Sequence, residues 1–368
     1  MFIECNALTL LDLSNFNAKN VTKMNGMFSN CESLKTLNLS NLDTTNVISM
    51  EDMFKGCINL DSLDLLSFNT KNVSNMKKMF DCCISLKSLN LSSFNTENVV
   101  NMSQMFSSCE SLISLDISSF NTKNVINMYY MFGSCIKLKS INIIHFNTEN
   151  VTRMSDMFEM YKSLESLDLS NFNTKKVNNF NFFFSGCNSL KSINLSSFCT
   201  DNAEFMRNML QNCTSLKSLN ISNFNTQKVK SMFGMFSSCQ SLVTLDLSNF
   251  SGENVREMGC MFNDCKSLAS LNLKNFNPKN AEDMGSMFCG CESLVSLDLS
   301  NFNLMKKAKM YKIFDNCSSL VSIDFSNTKI SNLDFTSRDF CGCSSLKTIL
   351  INIEGLKVNG FQLIMEEK

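Results

Sequence analysis

The chain has 368 residues, 44% of them hydrophobic, and its 33 basic and 34 acidic side chains give a formal net charge of −1. That balance leaves no basic field to draw in nucleic acid and no run of like charge to form a tail. No stretch reaches the roughly 18 apolar residues a membrane-spanning helix needs. No signal peptide is visible either, because Met1-Phe2 stands in phase with Met27-Phe28 and Met53-Phe54. The chain therefore starts mid-unit, and an upstream signal or cap is expected.

Cysteine recurs every 26 residues, at Cys5, Cys31, Cys57, Cys83, Cys109 and Cys135, then from Cys187 through Cys213, Cys239, Cys265, Cys291 and Cys317 to Cys343, with Tyr161 in the one remaining slot. A fixed period of about 20 to 50 residues marks a solenoid of one stacked supersecondary unit. The spacing thus predicts about fourteen coils of 26 residues, with residues 1–350 as a single solenoid and 351–368 as a C-terminal tail or cap.

Within a unit, Leu34-x-x-Leu37-x-Leu39 comes first. This is the strand signature of a leucine-rich repeat. Period 2 puts Leu37 and Leu39 on one face and Asn38 on the other, and stacked coils are expected to build a continuous parallel β-sheet. A helix of about three turns should follow. Pro278, the one proline, marks a first helical position and makes Asn277 its N-cap, with Asn17, Asp43, Asn69 and Asn95 as equivalents. Phe68 before the cap and Val73 after it read as a hydrophobic staple. Val21, Met24, Met27, Phe28 and Cys31 recur at three and four, one amphipathic helical face. Asn30, Gly56, Gly186, Asn212, Gly290, Asn316 and Gly342, just before the ladder cysteine, suit a left-handed C-cap. In the last unit Thr328 replaces the staple Phe and Lys329 the cap. The expected fold is α/β, a leucine-rich-repeat-like solenoid with its parallel sheet on the concave side and short helices on the convex side. The N-terminal coil has no cap and should dimerise or receive a missing segment.

The recurring S-L-x-x-L-D-L-S-x-F-N-T-x-N-V-x-x-M-x-x-M-F-x-x-C resembles the BspA-like leucine-rich-repeat surface proteins, in the variant of mycoplasma-type surface lipoproteins. The likeness runs from Met1 to about Leu350. It implies an exported, non-enzymatic protein at a cell surface or outside the cell, adhering to a protein or a host-surface or matrix ligand. The absent leader makes a cytoplasmic interaction scaffold the alternative. Where ordinary leucine-rich repeats carry a buried Asn, this chain has Phe68, Phe94 and their equivalents, a packed Phe spine.

The cysteine ladder invites a redox or metal reading, yet equivalent Cβ atoms in stacked coils run parallel, and buried Cys commonly fills space. Buried free thiols are expected, with no metal and no cofactor. Cys82, Cys199, Cys260, Cys289 and Cys341 fall outside the ladder, with no His beside them to complete a zinc set. His145 reads as a solvated substitution, and nothing pairs a nucleophile with a base, so no catalytic residue is assigned. The outward strand position alternates strictly, as Asp12, Asn38, Asp64, Asn90, Asp116, Asn142, Asp168 and Asn194. Lys35, Lys87, Lys139 and Lys191 accompany the Asn coils. Alternation keeps like charges apart on adjacent strands, and the same strip is the candidate partner-binding surface; the two readings are compatible.

Overall fold

Leu37 and Leu39 turn inward because a strand alternates its faces, and the computed structural model, which describes residues 1–305, 308–328 and 335–351, buries both. It winds a parallel β-solenoid of about 13 turns at 26-residue spacing. The described strands are β1 (Leu10–Asp12), β2 (Thr36–Asn38), β3 (Thr244–Asp246), β4 (Ser270–Asn272), β5 (Ser296–Asp298), β6 (Ser322–Phe325) and β7 (Thr348–Ile351). β1 pairs with β2, β3 with β4, and β6 with both β5 and β7, all in parallel. The register is one full coil: Leu11 faces Leu37 and Leu245 faces Leu271. The expected continuous sheet is thus corrected to three short ones among the described residues. Elsewhere on the strand row one isolated parallel bridge is described, Asn90 with Asp116, inside the first unit.

Two compact units divide the chain. The first holds residues 1–177 with 186–197, the second 178–185 with 198 onward. In both, the core is the set that recurs in the repeat. Leu60, Leu65, Val73, Met76, Met79, Phe80 and Cys83 are fully buried in one coil, as are Leu242, Leu247, Val255, Met258, Met261, Phe262 and Cys265 in another.

The short convex helices are not there. The segment from Met24 to Cys31 is a ribbon of turns, because its N–H groups are divided between two directions. Those of Met24, Gly26, Phe28 and Asn30 donate to the next coil, at Ser49, Glu51, Met53 and Lys55, over 2.6–3.0 Å. Those of Met27, Ser29 and Cys31 close four-residue turns on Met24, Gly26 and Phe28. An α-helix needs each of these donors for the carbonyl four residues back, so none is left for one. The left-handed residue expected before each ladder Cys is present, with Asn30 at φ 56° and Gly56 at 70°. A second stands four residues earlier, at Gly26, Asp52, Lys78, Gln104, Tyr130 and Asp156. A left-handed residue in every turn is incompatible with a right-handed helix. Only one short helical segment is described, the 3₁₀ turn Ser337–Phe340. There the buried Asp339 accepts from the backbone N–H of Lys312 at 2.7 Å and of Thr336 at 2.5 Å.

The cap residues keep their chemistry without their helix. Asn69 Oδ1 accepts from the Lys71 N–H at 3.2 Å and Asn95 Oδ1 from Glu97 at 2.9 Å, which closes an Asx turn. The next residue, Thr, is buried. Thr70 Oγ1 donates to the Asn95 carbonyl at 2.9 Å and accepts from the Asn95 N–H at 2.8 Å, and Thr44, Thr96, Thr122 and Thr148 repeat the pattern. The expected Phe spine exists, with Phe68 stacked on Phe94 at 6.5 Å. A tighter one runs through Phe2, Phe28, Phe54, Phe80, Phe106, Phe132 and Phe158, with centroids 5.5–5.9 Å apart.

The ladder cysteines are free. From Cys31 onward the thiols donate to a carbonyl 29 residues earlier, a phenylalanine's for Cys83 (Phe54, 3.2 Å) and Cys265 (Phe236, 3.1 Å) and Leu210's for Cys239 (3.2 Å). Thr328 is buried and donates to the Leu299 carbonyl at 2.9 Å. Lys329 and nearly all of the expected tail 351–368 lie outside the described residues.

Candidate functional site

The eight residues of the alternating strip all belong to the first unit. Each stands at the end of a strand-like segment and points out of the core. All are exposed except Asn38, which is half-buried. Each also closes a turn with its own side chain. Oδ1 of Asp12 accepts from the Ser14 N–H at 2.8 Å, Asn38 from Ser40 at 3.1 Å, Asp64 from Leu66 at 3.0 Å and Asn90 from Ser92 at 3.1 Å. Asp116, Asn142, Asp168 and Asn194 do the same to Ser118, Ile144, Ser170 and Ser196. Asp and Asn serve this turn equally, since it needs only one acceptor oxygen. The alternation therefore concerns charge and not backbone geometry.

The charge is retained at three of the Asp positions. The backbone N–H of Ser118 and then its hydroxyl hold the Asp116 carboxyl below the ordinary carboxylate value, and Ser14 and Ser170 do so for Asp12 and Asp168. Asn38, in register with Asp12 on the adjoining strand, adds a further small lowering. Asn38 thus separates the charges of Asp12 and Asp64 and interacts favourably with the first of them.

Two rows flank the strip, one of them not singled out from the sequence. Two residues before every strip member except Asp12, which has Leu10 there, stands an exposed hydroxyl, at Thr36, Ser62, Ser88, Ser114, Ser140, Ser166 and Ser192. The visible signal was the Ser or Thr two places ahead of the strip in each of these coils. The other row holds the lysines noted above. Lys191 reaches Glu165 of the preceding coil at 2.8 Å, and Lys87 approaches Asp61 at 3.9 Å. Both pairs are well exposed, so they contribute little to stability. Beside them lies an open polar depression of about 460 Å³, lined by Lys35, Thr36, Asn59, Asp61, Ser85 and Lys87.

His145 is exposed, and its Nε2 lies 3.0 Å from the Ile117 carbonyl. It extends a row in which Ser67, Ser93 and Ser119 donate to the equivalent carbonyls. Its ring also meets Phe146 edge-on at 5.2 Å. Among the described residues no group of three or more His, Cys, Asp or Glu is placed to hold a metal ion. No described helix is long and apolar enough to cross a membrane. On the turn side of the first unit, burial, then the neighbouring Asp156, pushes Glu159 up to about 7.

Comparison with known proteins agrees with this architecture. The family profile described as "Mycoplasma protein of unknown function, DUF285" matches residues 1–112, 64–142, 81–193, 134–245 and 212–327. A leucine-rich repeat protein from Bacteroides ovatus superposes with a TM-score of 0.58 at 20% identity, over 94% of this chain and 79% of that one. A leucine-rich cell surface protein from Faecalibacterium prausnitzii gives 0.42 at 17% identity, over 94% and 83%. The functional domain of InlJ from Listeria monocytogenes, described as including a cysteine ladder, gives 0.31 at 14% identity, over 94% and 69%. A search of curated proteins finds no match. The expected leucine-rich-repeat solenoid of mycoplasma type is borne out by the family match and the Bacteroides fold.

Proposed function

The chain belongs to the mycoplasma protein family DUF285, and from that premise we propose that it is a non-enzymatic interaction scaffold at a cell surface, binding a protein or adhesive host-surface ligand through its strand face. The observation that carries this reading is the Asp/Asn strip. Its side chains are outward-facing, fixed by their own turns and, at Asp12, Asp116 and Asp168, held below the ordinary carboxylate value. Fixed charge at regular spacing lowers the ordering cost of binding an extended partner. Repeat scaffolds present such surfaces without chemistry of their own.

Reversing Asp64, Asp116 and Asp168 together to Lys tests it. Attachment of the protein to cells or matrix should be lost while its circular dichroism is unchanged. Unchanged attachment would remove the strand face from the reading.

A cytoplasmic scaffold is the second reading, favoured by the free thiols. Thiol counting on protein taken directly from cells separates the two, since a full set of reduced thiols in a surface fraction and in a cytosolic fraction point opposite ways.

A further inference from the structure

The strand face of the second unit differs from that of the first in one row. Where the first unit places Thr9, Lys35, Asp61, Lys87, Lys139, Glu165 and Lys191, with Ile113 as its one apolar member, the second places Val243, Ala269, Val295 and Val321 on four successive coils. Val243 is 48% and Val295 51% exposed, Ala269 is exposed and Val321 half-buried. Lys217 and Lys347 bound the row. The hydroxyls of Thr244, Ser270 and Ser296 lie beside it, then a row of Asp246, Asn272, Asp298 and Asp324. Each Asp holds a backbone N–H, from Ser248 at 2.8 Å, Ser300 at 2.9 Å and Ser326 at 2.7 Å. Nearby cations offset this only in part: Lys266 is paired with Glu292 at 3.1 Å, and Lys274 adjoins the row.

An apolar stripe and an acidic row thus run in parallel down the coils. The spacing says what could lie along them. Val243 and Val295 are two coils apart, as are Asp246 and Asp298, which at ~4.8 Å per coil is ~9.6 Å. A polyproline II segment repeats every three residues, or ~9.3 Å, and so presents the same two rows at nearly the same interval. A regular strand repeats every two residues, ~6.8 Å, and drifts out of step within two coils.

We propose that this face of the second unit docks an extended protein segment of polyproline II type, with a basic residue at every third position over the Asp row and a small apolar residue next to it over the Val stripe. The inference rests on the scaffold reading above and narrows its partner to a basic peptide segment, as opposed to a neutral glycan.

The test uses the full chain and three labelled probes, a (Lys-Val-Pro)₄ peptide, its (Glu-Val-Pro)₄ counterpart and a neutral chitin oligosaccharide, with binding followed by fluorescence anisotropy. The lysine peptide should bind, and the other two at least tenfold more weakly. Val243→Ser with Val295→Ser should weaken it at least tenfold. Asp246→Asn, Asp298→Asn and Asp324→Asn together should weaken it as much and abolish its salt dependence, while keeping the turns intact. Equal binding of the two peptides, preference for the oligosaccharide, or indifference to these variants would overturn the inference. If binding instead responds only to Asp64, Asp116 and Asp168, the strand face of the first unit holds the ligand, so the scaffold reading stands and this one falls.

Discussion

Thr96 and Asn121 exchange two hydrogen bonds across neighbouring coils: the Thr96 hydroxyl donates to the Asn121 carbonyl at 3.0 Å and accepts from its N–H at 2.7 Å. Thr96 is buried, so no water can replace either bond. Thr96→Val, which keeps the shape and adds apolar surface, should still destabilise the protein by about 1–3 kcal/mol, the cost of orphaning a buried amide and carbonyl. Thr96→Ser should recover most of that. Denaturant midpoints decide it; an unchanged Val variant would show that the ladder does not hold the coils together.

Gly56 needs its lack of a side chain twice over. Its φ is 70°, and a Cβ there would collide with Asn30 Oδ1 of the preceding coil. Gly56→Ala should cost at least 1 kcal/mol. Ser108 has the same left-handed backbone at φ 55°, so Ser108→Gly should be neutral or mildly stabilising. The opposite order of melting temperatures would contradict this account of the ribbon.

Two sets of carboxyls give pH trends of opposite sign. Burial raises Glu159 from 4.5 to about 7, so the folded state binds more protons than the unfolded state between those values. Stability should fall as pH rises from about 4.5 to 7, and Glu159→Gln should flatten that slope. Asp12, Asp116 and Asp168 are lowered. Their contribution is present above 3.8 and lost as pH falls through their folded values. Urea titrations at a series of pH values resolve both trends, and a slope that survives in the Gln variant would clear Glu159 of the first.

Burial pushes the ladder thiols up, Cys57 and Cys135 to about 12, which leaves negligible thiolate at neutral pH. Cys341 is exposed. Brief alkylation of native protein should mark Cys341 and spare Cys57 and Cys135 until denaturant is added, as peptide mapping would show. Early labelling of Cys135 would place the thiols outside the core.

Tyr161 fills the one ladder slot without a cysteine and is fully buried, with no hydrogen-bond partner for its hydroxyl. Tyr161→Phe should therefore raise stability by up to about 1 kcal/mol. A loss of similar size in thermal denaturation would mean that the hydroxyl has found a partner in solution.

The period made the contact map readable, because residues 26 apart must adjoin once coils stack; Leu11 against Leu37 follows from counting alone. The buried set was readable as well, since Met76, Met79, Phe80 and Cys83 point inward whether the segment is helix or ribbon. Helix was expected because both shapes share spacings of three and four. The feature that separates them is the second left-handed position, and its occupants include Lys78, Tyr130 and Phe182, side chains that do not advertise such a backbone. The candidate strip was legible as a pattern, but its role as a turn-former was not, because Asp and Asn at a strand end look alike whether they bind a neighbour or their own chain.

That turn has one further consequence. Since an amide oxygen closes it as well as a carboxylate does, at Asn90 as at Asp64, the electrical text of the outer face can be edited one coil at a time without touching the frame that displays it. Exchanging single Asp and Asn residues would thus redraw the charge of that face, and each intermediate would close the same turns as its parent.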